Sequence, residues 1–420
     1  MKTVEELCIS AKSSSRTFAL ADTGQKNRAL TTLADWLRGN TTEIQQANTK
    51  DIEAAEANGL SAAMIDRLTL TEDRILGMAS DLTNIVNLPD PVGEEFEEKT
   101  LENGLNAKKV RVPMGVLAVI YESRPNVTID VASLALKSGN AVILRGGSET
   151  IHSNRLLIDG IHEALASEAI DPAVVQFIDD PDRELVNQLL KMHAYVDMLI
   201  PRGGAGLHRF CRENSTIPVI TGGIGICHLF VDESADLERS LAVIRNAKIQ
   251  RTSACNSLDT VLVHQANTAG FVPMLIARLK KDGVRFHVDQ KTMQGLGLKT
   301  DEFVQAAGEG DFDREWLSLT LGIKTVANLD EAIAHIAAHS TAHSDGILTE
   351  DMDNARIFTE QVDSAAVYVN ASTRFTDGAQ FGLGAEVAIS TQRLHARGPM
   401  ALRELTTFKW VLSGDYTIRP

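Results

Sequence analysis

The sequence has few cysteines and none in pairs: Cys8, Cys211, Cys227 and Cys255 are scattered through 420 residues with no CxxC spacing. That absence argues against a zinc knuckle or a disulfide framework and leaves reduced thiols as the default. Apolar runs of membrane-spanning length are also missing, and the opening stretch MKTVEELCISAKSS carries acids where a secretory leader would be apolar. A cytoplasmic protein is expected. Positive charge is in deficit, with 41 Lys and Arg against 56 Asp and Glu, a formal charge of -15. Nucleic acid and anionic membrane are therefore disfavoured as main partners, because both demand a basic face. A small anionic substrate stays open. It would need arginines that oppose the global field locally, and Arg124, Arg145, Arg202 and Arg251 each sit beside Gly, Pro, Ser or Thr.

What is present is the ordinary balance of a globular protein, 44% apolar and 23% charged. The length is too great for one core, so two or three domains are expected. Residues 1 to 88 are Ala-rich with helical period, as in Leu30, Leu33, Ala34 and Leu37, and predict a bundle of amphipathic helices packed on something else. Gly59 is placed to end one helix and Ser61 to cap the next. Around residues 94 to 114 the texture becomes charged and alternating, with Asn103-Gly104 between two extended runs, a hairpin signal. So polar a hairpin is either an arm that pairs with another subunit or a solvated surface feature.

From Gly115 short apolar runs alternate with helical stretches, which predicts βαβ units and a doubly wound parallel sheet. Ligands of such sheets bind beyond the carboxyl ends of the strands. Those ends carry Tyr121 to Pro125, then Arg145-Gly146-Gly147-Ser148, then Pro201 to Gly206 with Gly203 and Gly204. Backbone N–H groups and a cation at Arg145 to Ser148 suit a phosphate or a ribose. The second turn is not GxGxxG, and either turn alone is equally well a tight turn and nothing more. A second alternating region begins after a helix near Leu237 to Ala247.

Between the two regions lies NAKIQRTSACNSLDTVLV, residues 246 to 263. It sets Cys255 among Thr252, Ser253, Asn256 and Ser257, just before an apolar strand-like run. Nearby dipoles and Arg251 could lower the thiol's pKa toward the nucleophilic thiolate; the alternative is a small buried hydrophobe, as most free cysteines are. His335, His339 and His343 are spaced four apart, but their helix should end near His339-Ser340 and no HExxH accompanies them, so no metal is expected.

Three segments together resemble the aldehyde dehydrogenase superfamily: VPMGVLAVIYESRPNVTIDVASLALKSGNAVILRGG, QRTSACNSLDTVLV, and VANLDEAIAHIAAHSTAHSDGI. The resemblance spans nearly the whole chain and points to its branch that reduces an acyl phosphate. It implies an α/β fold of two doubly wound domains plus a small β oligomerisation element. The expected boundaries are 1–93 with 115–232 for cofactor binding, 233–375 for catalysis, 94–114 with 395–420 for oligomerisation, and 376–394 as a connecting loop near the site.

The resemblance makes Cys255 the nucleophile and Asn126 the nearest candidate for an oxyanion amide. Arg145, Gly146, Gly147, Ser148, Gly203, Gly204 and Glu315 become cofactor residues, Arg145 suiting the 2′-phosphate of NADPH. Arg124, Arg251, Ser253 and Asn256 become substrate residues. Hydrolytic members have a Glu-Leu-Gly-Gly-Lys type motif whose glutamate activates water; the comparable segment here is Ile220-Thr221-Gly222-Gly223-Ile224-Gly225. A chain without that base should pass its acyl group to hydride or phosphate. The implied reaction is NADPH-dependent reduction of L-glutamyl 5-phosphate to the 5-semialdehyde, with glutamate 5-kinase as functional partner and a homo-oligomeric assembly. The alternatives are a hydrolytic aldehyde dehydrogenase and a non-catalytic nucleotide-binding or thiol-sensing protein.

Overall fold

The computed structural model describes residues 2–222 and 224–419, apart from the side chain of Ala63. The chain forms two units, residues 1–221 with 382–388 and 400–420, and residues 222–381 with 389–399.

At the centre of the first unit is a four-stranded sheet in the order Val175–Phe177, Ala141–Arg145, Val116–Tyr121, Met198–Arg202, every pairing parallel. Its two middle strands are buried at every residue, which is why they read as unbroken apolar runs rather than alternating ones. The helix Asn126–Lys137 follows one of them and is itself almost wholly buried.

Five helices precede the sheet: Val4–Phe18, Thr23–Gly39, Thr41–Ala57, Ala62–Leu68 and Glu72–Asn87. Thr3 and Glu6 close a capping box on the first. Gly59, at φ +73°, stands just past the third, and the Ser61 hydroxyl accepts from the Met64 N–H of the fourth, as the sequence predicts. These helices carry no reactive group but they place one. Asp51, on the third, accepts from the N–H groups of His152 (3.0 Å) and Ser153 (2.8 Å), which open the helix Ile151–Ser167. A helix start leaves such donors without partners of its own, so Asp51 anchors the start of the helix that follows the turn at Arg145 to Ser148.

A separate antiparallel sheet joins Glu95–Thr100, Asn106–Pro113 and Thr406–Ser413. Gly104 takes φ +84° in the turn, where a side chain would be strained. The predicted hairpin and C-terminal strand thus share one sheet.

The second unit holds seven strands in the order Val304–Ala306, Arg285–Val288, Thr320–Val326, Leu258–His264, Cys227–Val231, Ser344–Leu348, Ala366–Val369, all parallel. Here the structure corrects the boundary expected at 233. Cys227–Val231 is fully buried between Leu258–His264 and Ser344–Leu348, so the unit begins at 222. The sequence pattern missed this because a buried strand reads alike in either sheet. The tail differs as well, since it returns to the first unit at 382–388, to the second at 389–399, and to the first again from 400. Among the described residues no helix is long and apolar enough to cross a membrane.

Candidate active site

Cys255 lies in the turn between the helix Leu237–Ile249 and the buried strand Leu258–His264, and it is half-buried. The other three thiols are buried, and burial raises each, Cys8 to about 12, Cys211 to about 11 and Cys227 well above the ordinary thiol value. Only a thiolate attacks an acyl carbon, so Cys255 is the thiol with access.

Three segments of the second unit brace it. The first is 224–226: a Cβ on Gly225 would fall 1.4 Å from the Cys255 carbonyl oxygen, so only glycine lets these backbones touch. Thr341 holds this segment, donating to the Ile224 carbonyl (2.7 Å) and accepting from the Ile226 N–H (3.0 Å). The second is 373–376. Asn256 Nδ2 donates to the Thr376 carbonyl (2.9 Å), and Thr373 Oγ1 donates to the Asn256 carbonyl (2.7 Å). The Ser344 and Thr376 hydroxyls meet at 2.6 Å, fixing the same segment to the strand Ser344–Leu348. The run HSTAHSDGI therefore acts through Thr341 and Ser344, each of which holds one wall around Cys255. The third is 315–316, where Glu315 Oε1 accepts from the Gly225 N–H at 3.0 Å.

Beneath the turn, Asp259 accepts from the N–H groups of Trp316 (3.0 Å) and Cys227 (3.4 Å), while Cys227 Sγ donates to the Cys255 carbonyl (3.3 Å). Lys248 Nζ lies 3.7 Å from Asp259 and donates to the Leu258 carbonyl at 2.8 Å. Burial pushes Asp259 up to about 6 and Lys248 down to about 8, each tempered by its partner's charge.

The expected residues thus fall into two groups. Arg251, Ser253, Cys255, Asn256 and Glu315 come together in the second unit. Asn256 is buried, with its Oδ1 lacking a partner, and its amide nitrogen secures the neighbouring loop. Arg124, Asn126, Arg145 to Ser148, Gly203 and Gly204 belong to the first unit. Asn126 there donates to Asp130 at 2.8 Å. Gly223 lies outside the described residues. His335 is buried, with Nδ1 3.1 Å from Lys324 Nζ and its ring against His339, while His343 Nδ1 meets the Ser344 hydroxyl.

Sequence reasoning missed Arg374, whose pKa burial depresses, with the like charge of Arg251 adding to the fall and Cys255 opposing it. The criterion that marked the other arginines, a small polar neighbour, also selects it, beside Thr373. It also missed Lys248 and Asp259, which look like ordinary helix and strand residues until the fold buries them.

The model of the aldehyde dehydrogenase family matches residues 1–302. The chain belongs to that family. A gamma-glutamyl phosphate reductase of Vibrio parahaemolyticus is 57% identical over 409 residues, covering 97% of this chain and 98% of the relative. One of Photobacterium profundum is 55% identical over 417 residues, covering 99% and 100%. Among solved structures, a gamma-glutamyl phosphate reductase of Thermotoga maritima superimposes with a TM-score of 0.97 at 45% identity, each chain covered in full.

Aldehyde dehydrogenases use a nicotinamide dinucleotide, and the first unit offers residues that fit one. At the carboxyl ends of its strands, a Cβ on Gly147 would meet the Glu149 carboxylate at 2.3 Å and one on Gly203 the Glu122 carboxylate at 2.3 Å. Glu149 also accepts from the Ser123 N–H (2.7 Å) and Glu122 from the Gly204 N–H (3.1 Å). The two carboxylates thereby tie three strand ends into one cradle, whose oxygens suit ribose hydroxyls. Arg145 is buried, donates to the Gly146 (2.8 Å) and Pro181 (2.7 Å) carbonyls, and has Nε without a partner. In this state its guanidinium secures the turn; a 2′-phosphate would have to draw it out.

Proposed function

We propose that the chain catalyses the NADPH-dependent reduction of L-glutamyl 5-phosphate to L-glutamate 5-semialdehyde and phosphate, the second step of proline biosynthesis from glutamate. The observation that carries this reading is the half-buried Cys255 on its braced turn, in a chain 57% identical over nearly its whole length to a gamma-glutamyl phosphate reductase. The Cys255 thiolate forms a bond to the acyl carbon, and phosphate leaves with the electron pair of the broken C–O bond. When bound, the nicotinamide cofactor supplies the hydride that the thioester carbon accepts as the C–S bond breaks. Backbone N–H groups around Cys255 stabilise the developing oxyanion, with Asn126 as the side-chain amide for that role. Ile220, which precedes Thr221-Gly222-Gly223 as the glutamate of hydrolytic members precedes Leu-Gly-Gly, offers no base to activate water.

Arg145, Gly146, Gly147, Ser148, Gly203 and Gly204 hold the cofactor, and Arg145 favours NADPH once its guanidinium leaves the Gly146 and Pro181 carbonyls for the 2′-phosphate. Arg124, Arg251, Ser253 and Asn256 serve the substrate. Glutamate 5-kinase supplies the acyl phosphate. The exposed strip of Phe408, Trp410 and Leu412 on the C-terminal strand supports pairing of that sheet with a second copy of the chain.

A steady-state assay of semialdehyde oxidation tests the reading. Turnover requires phosphate and prefers NADP over NAD; phosphate-independent turnover would instead favour a hydrolytic aldehyde dehydrogenase.

Glu315 gives a pH prediction. Burial pushes its carboxyl up to about 7 against the opposing bond from the Gly225 N–H, and Asp259 adds to the rise. The ionised form is the better acceptor for ribose hydroxyls, so the cofactor's KM should climb as pH falls below about 7, by up to about tenfold per unit. Glu315→Gln should lose that inflection. A wild-type KM that is flat from pH 6 to 8 would remove Glu315 from cofactor binding.

A further inference from the structure

We propose that Asp345 is a positioning residue for Cys255, fixing the turn 340–342 through which Thr341 holds the wall 224–226 against the nucleophile. Its part in the reaction rests on the functional reading above. Asp345 stands second on the strand Ser344–Leu348, and its side chain is wholly buried. Neighbouring strand residues point to opposite faces, so Ser344 reaches the wall 373–376 while Asp345 turns the other way. A carboxylate taken out of water needs donors at its lone pairs. Asp345 has four. Oδ1 accepts from the His228 N–H (2.9 Å) and meets His228 Nδ1 at 3.0 Å, while Oδ2 accepts from the hydroxyls of Ser340 (2.6 Å) and Ser364 (2.5 Å).

The bond from Ser340 is the one that leads to the site. Ser340 follows the helix Leu329–His339, and its hydroxyl also accepts from the Ala342 N–H at 3.0 Å. Ala342 takes φ +58°, a left-handed conformation uncommon for a residue with a Cβ. Such a residue persists only where its surroundings impose it. Ser340 supplies one constraint, and the Ala365 N–H, donating to the Ala342 carbonyl at 2.9 Å, supplies another. Between Ser340 and Ala342 stands Thr341, whose hydroxyl donates to the Ile224 carbonyl (2.7 Å) and accepts from the Ile226 N–H (3.0 Å). Gly225 lies between those two groups and touches the Cys255 carbonyl, where a Cβ would fall 1.4 Å from the oxygen. The buried carboxylate thus reaches the backbone of the nucleophile through Ser340, Thr341 and Gly225. Ser364 provides a control: it donates to the same oxygen, yet it lies outside the turn, just before the strand Ala366–Val369. A carboxylate that only tied the sheet together would register the loss of either hydroxyl alike.

The test combines steady-state semialdehyde oxidation with alkylation of Cys255 by iodoacetamide, which needs neither cofactor nor substrate. Ser340→Ala should lower kcat about tenfold or more, the scale on which a displaced reacting group acts. It should leave the KM values for semialdehyde, phosphate and NADP within roughly twofold and slow Cys255 alkylation about threefold or more. Asp345→Asn, whose amide nitrogen cannot accept from Ser340, should follow it. Thr341→Val, which keeps the side chain's shape and removes both bonds to 224–226, should give the same losses without touching Asp345. Ser340→Thr keeps the hydroxyl and should recover most of kcat, whereas Ser364→Ala should stay within about twofold of wild type in both measurements. Equal effects of Ser340→Ala and Ser364→Ala, wild-type kcat in Asp345→Asn, or a loss carried by KM with kcat intact would overturn the proposal. If the wild type turns over without phosphate, the functional reading fails, and the alkylation rates still decide whether Asp345 positions the thiol.

Discussion

Cys255→Ser should lower semialdehyde oxidation by at least about 10⁴-fold, the scale on which removal of a covalent nucleophile acts. The serine hydroxyl is nearly the size of the thiol but stays protonated at neutral pH, where it is a far weaker nucleophile than a thiolate. The loss should fall on kcat, because the side chain acts after the substrate is bound. The fold should be unaffected: the turn is held through the Cys255 carbonyl by Cys227 and through Asn256 by Thr373 and Thr376, none of which uses the Cys255 side chain. Turnover of the serine variant within tenfold of wild type would remove the nucleophile from the account.

Lys248→Met should destabilise the second unit by roughly 3–5 kcal/mol, the usual result of leaving one partner of a buried pair charged and alone. Both side chains are essentially inaccessible. Burial pushes Lys248 down and Asp259 up, and each partner's charge opposes the other's shift, so removing the ammonium takes away the charge that holds the buried carboxylate ionised. Asp259 also holds the Trp316 and Cys227 N–H groups, so its movement would carry Glu315 and the floor of the Cys255 turn with it. Lys248→Met combined with Asp259→Asn should recover a large share of the loss, because the amide needs no counter-charge. The check is urea unfolding followed by a probe in the second unit, since a chain of two units need not unfold in one step. A loss below about 1 kcal/mol for Lys248→Met would show the pair to be dispensable.

The parts of this molecule that were legible in the sequence are those in which local pattern and tertiary role agree. Alternating apolar and helical runs predict two parallel sheets, and both are present, because strands covered on two faces need continuous apolar residues. Asn103-Gly104 predicts its hairpin because that turn needs a left-handed residue, and Gly104 supplies it. Cys255 is marked by small polar neighbours that a thiol at a turn requires. The strand Cys227–Val231 falls within the expected 115–232 domain yet pairs in the second unit's sheet, because burial does not encode which neighbours a strand has. Lys248 and Asp259 were illegible because their pairing joins a helix to a strand across a loop, and Thr341 acts on Ile224 and Ile226 from more than a hundred residues away. The run HSTAHSDGI carries part of the family resemblance in the sequence, but its bracing of two loops around the thiol emerges only from the fold.

The central claim is that Cys255 carries the acyl group. Intact-protein mass spectrometry tests it most directly, with L-glutamyl 5-phosphate generated in place by glutamate 5-kinase from glutamate and ATP, and no nicotinamide cofactor present. One glutamyl group should accumulate per chain, map to Cys255, be released by hydroxylamine, and be missing from Cys255→Ser. An adduct on Cys8, Cys211 or Cys227, or none on a chain that turns over once cofactor is restored, would contradict the account.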